Sequence, residues 1–333
     1  MILAIETSCD DTCAAILDGD NLLANIVSSQ TRFHARYGGV VPEVASRRHL
    51  ELINLVVAEA LTVAGVELGQ IRRLAVTTRP GLIGALLVGV ATAKAIAFAC
   101  GAGLVGVSHL EGHIAANYLQ PEPASPPFLC LIASGGHTSM IYVAAERDFR
   151  LIGRTLDDAA GEALDKGARL LGLDYPGGAA LDALASSGDP AFASFPIGLD
   201  RAGNFDFSFS GVKTALYYYL RDAGAEMVQR RRADIAASYQ KAVISALVKK
   251  VIAAARSLNC SQICLAGGVS ANTVLRRRLG QECTSRGISL RIPPPELCTD
   301  NAAMIASAAR FLPDAPHPEW LSMGARATGG LLV

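Results

Sequence analysis

Ile2-Leu3-Ala4-Ile5-Glu6-Thr7-Ser8-Cys9-Asp10-Asp11-Thr12 and, further along, Phe128-Leu129-Cys130-Leu131-Ile132-Ala133-Ser134-Gly135-Gly136-His137-Thr138 decide the fold. Each is an apolar run that ends in a polar, hydroxyl-rich turn, and each continues into a second apolar run, residues 13–17 and 139–145. That pattern is strand–turn–strand. At one common offset Ser8 aligns with Ser134 and Thr12 with Thr138, which points to an internal duplication. In the first copy Asp18-Gly19-Asp20-Asn21 and a third run, residues 22–27, complete a three-strand meander. A second correspondence follows. Residues 74–78 form a short strand ahead of Arg79-Pro80-Gly81 and a long apolar helix, and residues 263–266 precede Gly267-Gly268-Val269-Ser270-Ala271-Asn272 and another helix. The order meander, helix, strand–turn–helix thus occurs twice, and the prediction is an α/β protein of two similar lobes with a central cleft that the polar turns face.

Pro121-Glu122-Pro123-Ala124-Ser125-Pro126-Pro127 reads as a stiff linker. The expected division is residues 1–125 for the first lobe, rejoined by a C-terminal segment 299–333, and residues 126–298 for the second. With 333 residues, 51% hydrophobic and 18% charged, the chain is long enough for two cores. The formal net charge is zero, so no single basic face is expected to grip nucleic acid. Arg47-Arg48, Arg230-Arg231-Arg232, Lys249-Lys250 and Arg276-Arg277-Arg278 read as solvated helix faces. If RNA is a substrate, partner subunits share the phosphate contacts.

The eight cysteines lack the two-residue gap of structural zinc sites. Met1 leads straight into an apolar run with no basic stretch ahead of it, so no signal peptide is expected. The apolar stretch 81–100 is interrupted by Thr92, Lys94 and glycines, and is predicted to be a buried helix and not a membrane span. A reducing cytoplasm fits these features. Residues 44–66 read as an amphipathic helix whose own lobe buries Leu52, Leu55, Val56, Ala60 and Val63. Val57, Ala58, Leu61 and Ala64 widen its apolar stripe enough for a second neighbour.

His109-Leu110-Glu111-Gly112-His113 lies where a strand, residues 104–107, passes into a helix. At that spacing the two histidines stand roughly 40° apart on one helix face, which suits a shared metal ion. Glu111 is roughly 200° round from His109, so the general base of a zinc protease is missing. The third ligand is expected to be a carboxylate or histidine from elsewhere. Asp300 is the candidate, although taken alone Thr299 or Asp300 reads more simply as the cap of the helix that follows. Ser134-Gly135-Gly136-His137-Thr138 offers open backbone N–H groups to phosphate oxygens, and Gly267 to Asn272 opens a helix N-terminus. Asp158, Glu162 and Asp165 share one face of a helix expected to open at Asp157. Three like charges there call for cations, hydroxyls or water, and a carboxylate is the usual partner of ribose hydroxyls.

Taken in order, Ile5 through Thr12, Tyr37-Gly38-Gly39-Val40-Val41-Pro42-Glu43, Pro80-Gly81-Leu82-Ile83-Gly84, His109 through His113 and Ser134 through Thr138 resemble the signatures of the tRNA adenosine threonylcarbamoyltransferase family. So do Asp157 through Lys166, Leu173-Asp174-Tyr175-Pro176-Gly177-Gly178, Phe205-Asp206-Phe207-Ser208-Phe209-Ser210-Gly211-Val212-Lys213-Thr214, Ala266 through Asn272, and Cys298-Thr299-Asp300-Asn301. The departures are Ser108, where many members have His, and Asp11, where many have Glu.

The resemblance implies the two-lobed fold of the sugar-kinase, actin and chaperone-ATPase superfamily. It also implies transfer of a threonylcarbamoyl group from threonylcarbamoyl-AMP to N6 of the adenosine beside the anticodon in tRNAs that read ANN codons. It implies one divalent metal ion, Fe(2+) or else Zn(2+), on His109, His113 and Asp300. Ile132, Ala133, Ser134, Gly135 and Gly136 would take the phosphate side of the adenylate, and Asp165, Gly178, Asp182 and Asn272 its ribose and adenine. The implied partners are tRNA, a shorter paralogous subunit of the same fold and a small ATPase subunit. For the general base, Asp10, Asp11 and Glu6 stand as candidates. A kinase or ATPase on the same fold, a non-catalytic scaffold, and the family's older label of metalloprotease are the competing readings. The histidine pair speaks against the first two and Glu111 against the third.

Overall fold

The computed structural model describes residues 1–201, 203–315 and 317–329. The chain divides into two compact units, Met1–Ala124 with Pro293–Val333, and Ser125–Ile292. Residues 293–298 therefore belong with the first unit, where the sequence reading had placed them in the second. Residues 330–333 of the C-terminal segment lie outside the described residues.

The first unit begins with β1 (Ile2–Glu6), β2 (Asp11–Asp18) and β3 (Asn21–Ser29), the expected meander. Next come α1 (Thr31–Ala35), α2 (Pro42–Ala64), β4 (Arg73–Arg79), α3 (Ile83–Cys100), β5 (Gly103–Ser108) and α4 (His109–Ala115). The sheet order is β3-β2-β1-β4-β5, with β1 parallel to β4 and β4 parallel to β5. Both faces are buried, and strand alternation sorts the residues. Leu3, Ile5, Ile16, Leu74 and Val76 join the core under α2 and α3, whereas Ala4, Ala15, Leu17, Ala75 and Val107 join the opposite one.

The second unit repeats this plan. It holds β6 (Phe128–Ala133), β7 (Thr138–Ala145), β8 (Asp148–Arg154), α5 (Ala160–Leu170), α6 (Gly177–Ala185), α7 (Ser210–Ala223), α8 (Ala225–Arg230), α9 (Arg232–Ser257), β9 (Gln262–Ala266), α10 (Thr273–Thr284) and β10 (Ser289–Arg291). Its sheet order, β10-β9-β6-β7-β8, is the first order written in reverse, strand for strand. The hydroxyls aligned by the duplication do matching work. Thr12 Oγ1 meets His49 Nδ1 of α2 at 2.8 Å, and Thr138 Oγ1 accepts the Ala160 N–H at the start of α5 at 2.8 Å. In each unit the turn is tied to the helix behind it.

The C-terminal segment, α11 (Pro295–Cys298) and α12 (Ala302–Ala309), returns to the first unit. All of α12 is buried, and it covers the small-residue face of Ala4, Ala15 and Ala75. Full burial of Met304 and Ile305 contributes about 1.5–3 kcal/mol each. Gly112 makes this approach possible, because a Cβ there would lie 2.6 Å from Ile305 Cδ1.

Two expectations about helices need correction. The stretch 81–100 does form a helix long and apolar enough to cross a membrane, but only 33% of it is buried. Ala85, Leu86, Gly89, Val90, Ala93 and Ala97 pack inward, while Ile83, Leu87 and Phe98 are exposed. In α2 the buried residues are Ala45, His49, Ile53, Val56, Val57 and Ala60. Leu55 and Val63, expected inside, are exposed, and Val57, assigned to an outer stripe, is buried.

Candidate functional site

The first unit gathers its chemistry where β1, β5 and α12 begin or end. His109 opens α4 directly from β5, His113 follows one turn later, and Asp300 precedes α12. Asp300 Oδ1 lies 3.5 Å from His109 Nε2 and 3.4 Å from His113 Nε2. One ligand atom from each residue falls within a 4.8 Å set. Ligands held at about 2.0–2.2 Å around a tetrahedral ion stand roughly 3.4 Å apart, so these side chains fit a common cation. Asn301, not Asp300, caps α12 by accepting the Met304 N–H at 2.9 Å.

His109 is oriented from behind. Its Nδ1 is 3.1 Å from Glu6 Oε2 and 3.1 Å from Ser8 Oγ. Glu6 also accepts the Thr77 hydroxyl at 2.5 Å and the Ser8 N–H. A carboxylate on Nδ1 puts the proton there and turns the Nε2 lone pair toward Asp300, the usual support of a metal-bound imidazole. His113 is fully buried, and neither ring nitrogen makes a hydrogen bond of good geometry. Leaving such atoms orphaned costs about 1–3 kcal/mol apiece, and a cation shared with His109 and Asp300 removes that cost at Nε2.

The electrostatics show that the site draws positive charge, which is a proton on His109 when no ion is bound. Burial would lower the His109 pKa, but Asp300 and then Glu6 overcome it and lift the ring to about 9. Burial would raise Glu6, and His109 outweighs it to hold the carboxyl below its ordinary value. Burial, then the charge of His109, holds His113 low. Asp11 is pushed up to about 7, first by burial and then by Asp300, Asp10 and Glu6. Burial and Asp300 likewise raise Asp10. Several carboxyls crowded together favour a positive guest.

The three candidate bases therefore separate. Glu6 is 1% exposed and bonded to His109, Thr77 and Ser8, so its carboxylate is turned away from solvent. Asp10 and Asp11 are half-buried on the turn, and Asp11 Oδ1 has no hydrogen-bond partner. Sequence reasoning missed Glu6 as the partner of His109, as well as Ser8 and Thr77. Strand alternation was the usable signal, since it puts Glu6 on the same face of β1 as Ala4, beneath α12. Glu111 is not among the three clustered residues.

The second unit holds the glycine turn. Ser134 N–H donates to the His137 carbonyl at 2.8 Å, and Ser134 Oγ accepts the His137 N–H at 3.1 Å. Gly135 and Gly136 at the tip are exposed, and a Cβ on either would meet nothing within 4 Å. Ile132 and Ala133 are interior strand residues and offer only backbone. A Cβ on Gly161 would lie 2.5 Å from the Ser134 carbonyl oxygen, and one on Gly267 2.4 Å from that of Ala133. Glycine at these two places lets α5 and the β9 turn close on the Ser134 loop. The α5 N-terminus is already spent, because Gly161 N–H donates to Ser134 O and Ala160 N–H to Thr138 Oγ1.

Asp165 Oδ1 accepts the Gly178 N–H at 2.7 Å. Burial, opposed by that bond, raises its carboxyl pKa. Asp182 accepts Gln240 Nε2 at 2.5 Å and the Thr273 N–H and hydroxyl at 3.0 Å each. Asn272 Oδ1 accepts the Leu275 N–H at 2.9 Å and caps α10. Asp165 and Gly178 thus form one pair, and Asp182 and Asn272 hold adjoining ends of the α10 start. The expected acidic face is different from its reading. The helix opens at Ala160, so Asp158 precedes it. Lys213 and Lys166 lie 2.9 and 3.1 Å from Asp158, and Lys166 lies 2.7 Å from Glu162.

Residues 21–307 match the family model described as TsaD, tRNA N6-adenosine threonylcarbamoyltransferase. A protein of that name from Symbiobacterium thermophilum is 53% identical over 313 residues, 94% of this chain and 91% of the relative. One from Clostridium botulinum strain 657 is 50% identical, covering 93% and 92%. Among solved structures, T. kodakarensis HypF superposes with a TM-score of 0.61 at 16% identity, over 93% of this chain and 48% of that one. The Acidaminococcus fermentans (R)-2-hydroxyglutaryl-CoA dehydratase component A gives 0.54 at 14% identity, over 93% and 98%. These structural likenesses concern the fold.

Proposed function

The chain belongs to the tRNA N6-adenosine threonylcarbamoyltransferase family, and from that premise we propose how its own residues divide the work. The activity is transfer of a threonylcarbamoyl group to N6 of a tRNA adenosine. The donor in this reading is threonylcarbamoyl-AMP, and the acceptor is the adenosine next to the anticodon in tRNAs reading ANN codons. The N6 amine attacks the carbamoyl carbon, a C–N bond forms, the C–O bond to phosphate breaks, and AMP leaves with the electron pair.

The observation that carries the reading is the convergence of His109 Nε2, His113 Nε2 and Asp300 Oδ1, with Glu6 behind His109. These residues would hold one divalent ion, with Fe(2+) favoured by two nitrogens and a carboxylate and Zn(2+) as the other choice. Bound there, the ion supplies Lewis-acid polarisation of the acyl phosphate. Asp11, half-buried on the turn with its carboxyl pushed up by burial and by Asp300, is the residue we assign to take the proton lost from N6. Gly135 and Gly136 receive the donor's phosphate on backbone N–H groups. Asp165, with Gly178, receives ribose, and Asp182 and Asn272 flank the base. Nothing in the geometry favours phosphoryl transfer or proteolysis.

The reaction proceeds in the cytoplasm with a shorter paralogue of the same fold and a small ATPase as partners. Support for the paralogue is the apolar outer face of α2 and α3. The direct test is reconstitution of the purified subunits with tRNA and threonylcarbamoyl-AMP, read as modified nucleoside, alongside metal analysis. Absence of modified adenosine from the complete mixture overturns the reading.

Asp165→Asn isolates the ribose role. Asparagine keeps an acceptor for Gly178 but loses the charge, and a hydrogen bond to a charged group is worth about 1.5–3 kcal/mol. The dissociation constant for the adenylate is therefore expected to rise roughly 10–100-fold, with metal content unchanged. Calorimetric titration giving wild-type affinity would remove Asp165 from the nucleotide site.

A further inference from the structure

The turn that presents Asp10 and Asp11 is held by a buried polar chain that the reaction does not otherwise use. His49 of α2 is 0% exposed, as are Thr12, Gln30 and His34. Its Nε2 is 2.9 Å from the Cys9 carbonyl oxygen and its Nδ1 is 2.8 Å from Thr12 Oγ1. A carbonyl can only accept, so Nε2 must carry the proton. Nδ1 is then an acceptor, and the Thr12 hydroxyl must donate to it. One ring clips residue 9 and residue 12, with Asp10 and Asp11 between them.

The next carbonyl, that of Asp10, is fixed by the Gln30 backbone N–H at 3.0 Å. Gln30 Nε2 reaches the Ala45 carbonyl at 3.4 Å, and Gln30 Oε1 pairs with His34 Nε2 at 3.3 Å. His34 Nδ1 accepts the Val41 N–H at 3.3 Å. The chain thus runs from the carboxylate turn to the Tyr37–Glu43 motif. Burial holds the His49 ring below its ordinary pKa, against a pull upward from the Cys9 carbonyl and nearby carboxylates. Gln30 Nε2, which can only donate, also lies 3.4 Å from His49 Nδ1, so that nitrogen accepts.

A leucine at position 49 would fill the space but leave the Thr12 hydroxyl and the Cys9 carbonyl without their partner, so the ring contributes to stability as well as to direction. The direction comes from one donor and one acceptor at a fixed separation. We infer that His49 is a positioning residue for the transfer reaction, acting through the Cys9 carbonyl and the Thr12 hydroxyl to aim Asp10 and Asp11 at the Asp300 side of the site. The inference rests on the reading of Asp11 as proton acceptor.

The experiment uses the full chain in the reconstituted system, with His49→Leu, His49→Gln and Asp11→Asn. His49→Leu is expected to lower kcat about 10–100-fold, the cost of a misdirected catalytic group. KM for tRNA and metal content should stay near wild type. His49→Gln should recover most of kcat, because a carboxamide also offers one donor and one acceptor. Nitrogen NMR of histidine-labelled wild type should show His49 as the neutral Nε2–H tautomer between about pH 6 and 8. Wild-type kcat in His49→Leu, equal loss in His49→Gln, or an Nδ1–H tautomer overturns the inference. If His49→Leu does not fold, Thr12→Val and the tautomer decide by the same criteria. Asp11→Asn at full rate would defeat the proton-acceptor reading, while the tautomer and the glutamine recovery still judge the clip.

Discussion

His113→Ala is expected to emerge from dialysis without its divalent ion and to transfer threonylcarbamoyl at least about 100-fold more slowly than wild type. A Lewis acid at a developing charge is worth several kcal/mol, and each 1.36 kcal/mol is a factor of about ten. The fold should survive. The substitution opens a cavity, which for large-to-alanine changes costs about 2–5 kcal/mol. It also removes two buried nitrogens that lack hydrogen bonds, whose desolvation costs about 1–3 kcal/mol each. These terms oppose one another, so the variant and chelator-stripped wild type should melt close together. Metal-loaded wild type should melt higher by mass action. Stoichiometric metal in His113→Ala, measured by elemental analysis, would show that the convergence on Asp300 is not a binding site.

How much of this was legible in the sequence depends on the range of each signal. The first meander and the β6–β7 hairpin were readable because alternation and polar turns are local, and so was the spacing of His109 and His113 within one helix. Strand β8 was not, since Asp148–Arg154 is an edge strand of mixed charge with half its residues open to solvent. Nor was β10, with only three residues. Glu6 and Ser8 reach His109 across the sheet, with Thr77 behind Glu6, and alternation names the face a residue occupies without naming the neighbour it meets. In α2 the phase was misread for a definite reason. The inward positions Ala45, His49, Ile53, Val56, Val57 and Ala60 include a histidine, which a pattern of apolar residues counts as outward. Crediting Leu55 and Val63 to the core instead rotated the expected face by roughly 60°, with Val56 and Ala60 common to both faces. The acidic run from Asp157 was read as unpaired because Lys213 on α7 is distant in sequence, and because Lys166, i+4 from Glu162 within the run itself, was passed over.

Leu55→Glu is expected to abolish pairing with the paralogous subunit and, with it, sustained tRNA modification, while leaving this chain folded. Single exposed leucines are ordinary. Here Leu50, Leu55 and Val63 of α2 are 69%, 65% and 59% exposed, and Leu87 and Phe98 of the neighbouring α3 are 52% and 68% exposed. The two helices lie close, since a Cβ on Gly84 would sit 2.5 Å from Ser46 Oγ. An apolar surface spread over two adjacent helices marks an interaction site. A carboxylate placed on this face must either lose its water or hold the partner away, and burying an unpaired charge costs several kcal/mol. A loss of about 3 kcal/mol already weakens the complex more than 100-fold. Because Leu55 is mostly solvated, its replacement should barely move the melting temperature, and metal and nucleotide binding by the isolated chain should persist. Val57→Glu supplies the contrast: that side chain is 7% exposed, so the variant should lose stability whether or not a partner exists. Leu55→Glu that binds the paralogue with wild-type affinity in sedimentation or calorimetry would place the subunit contact elsewhere and leave the apolar face of α2 without the role argued for it.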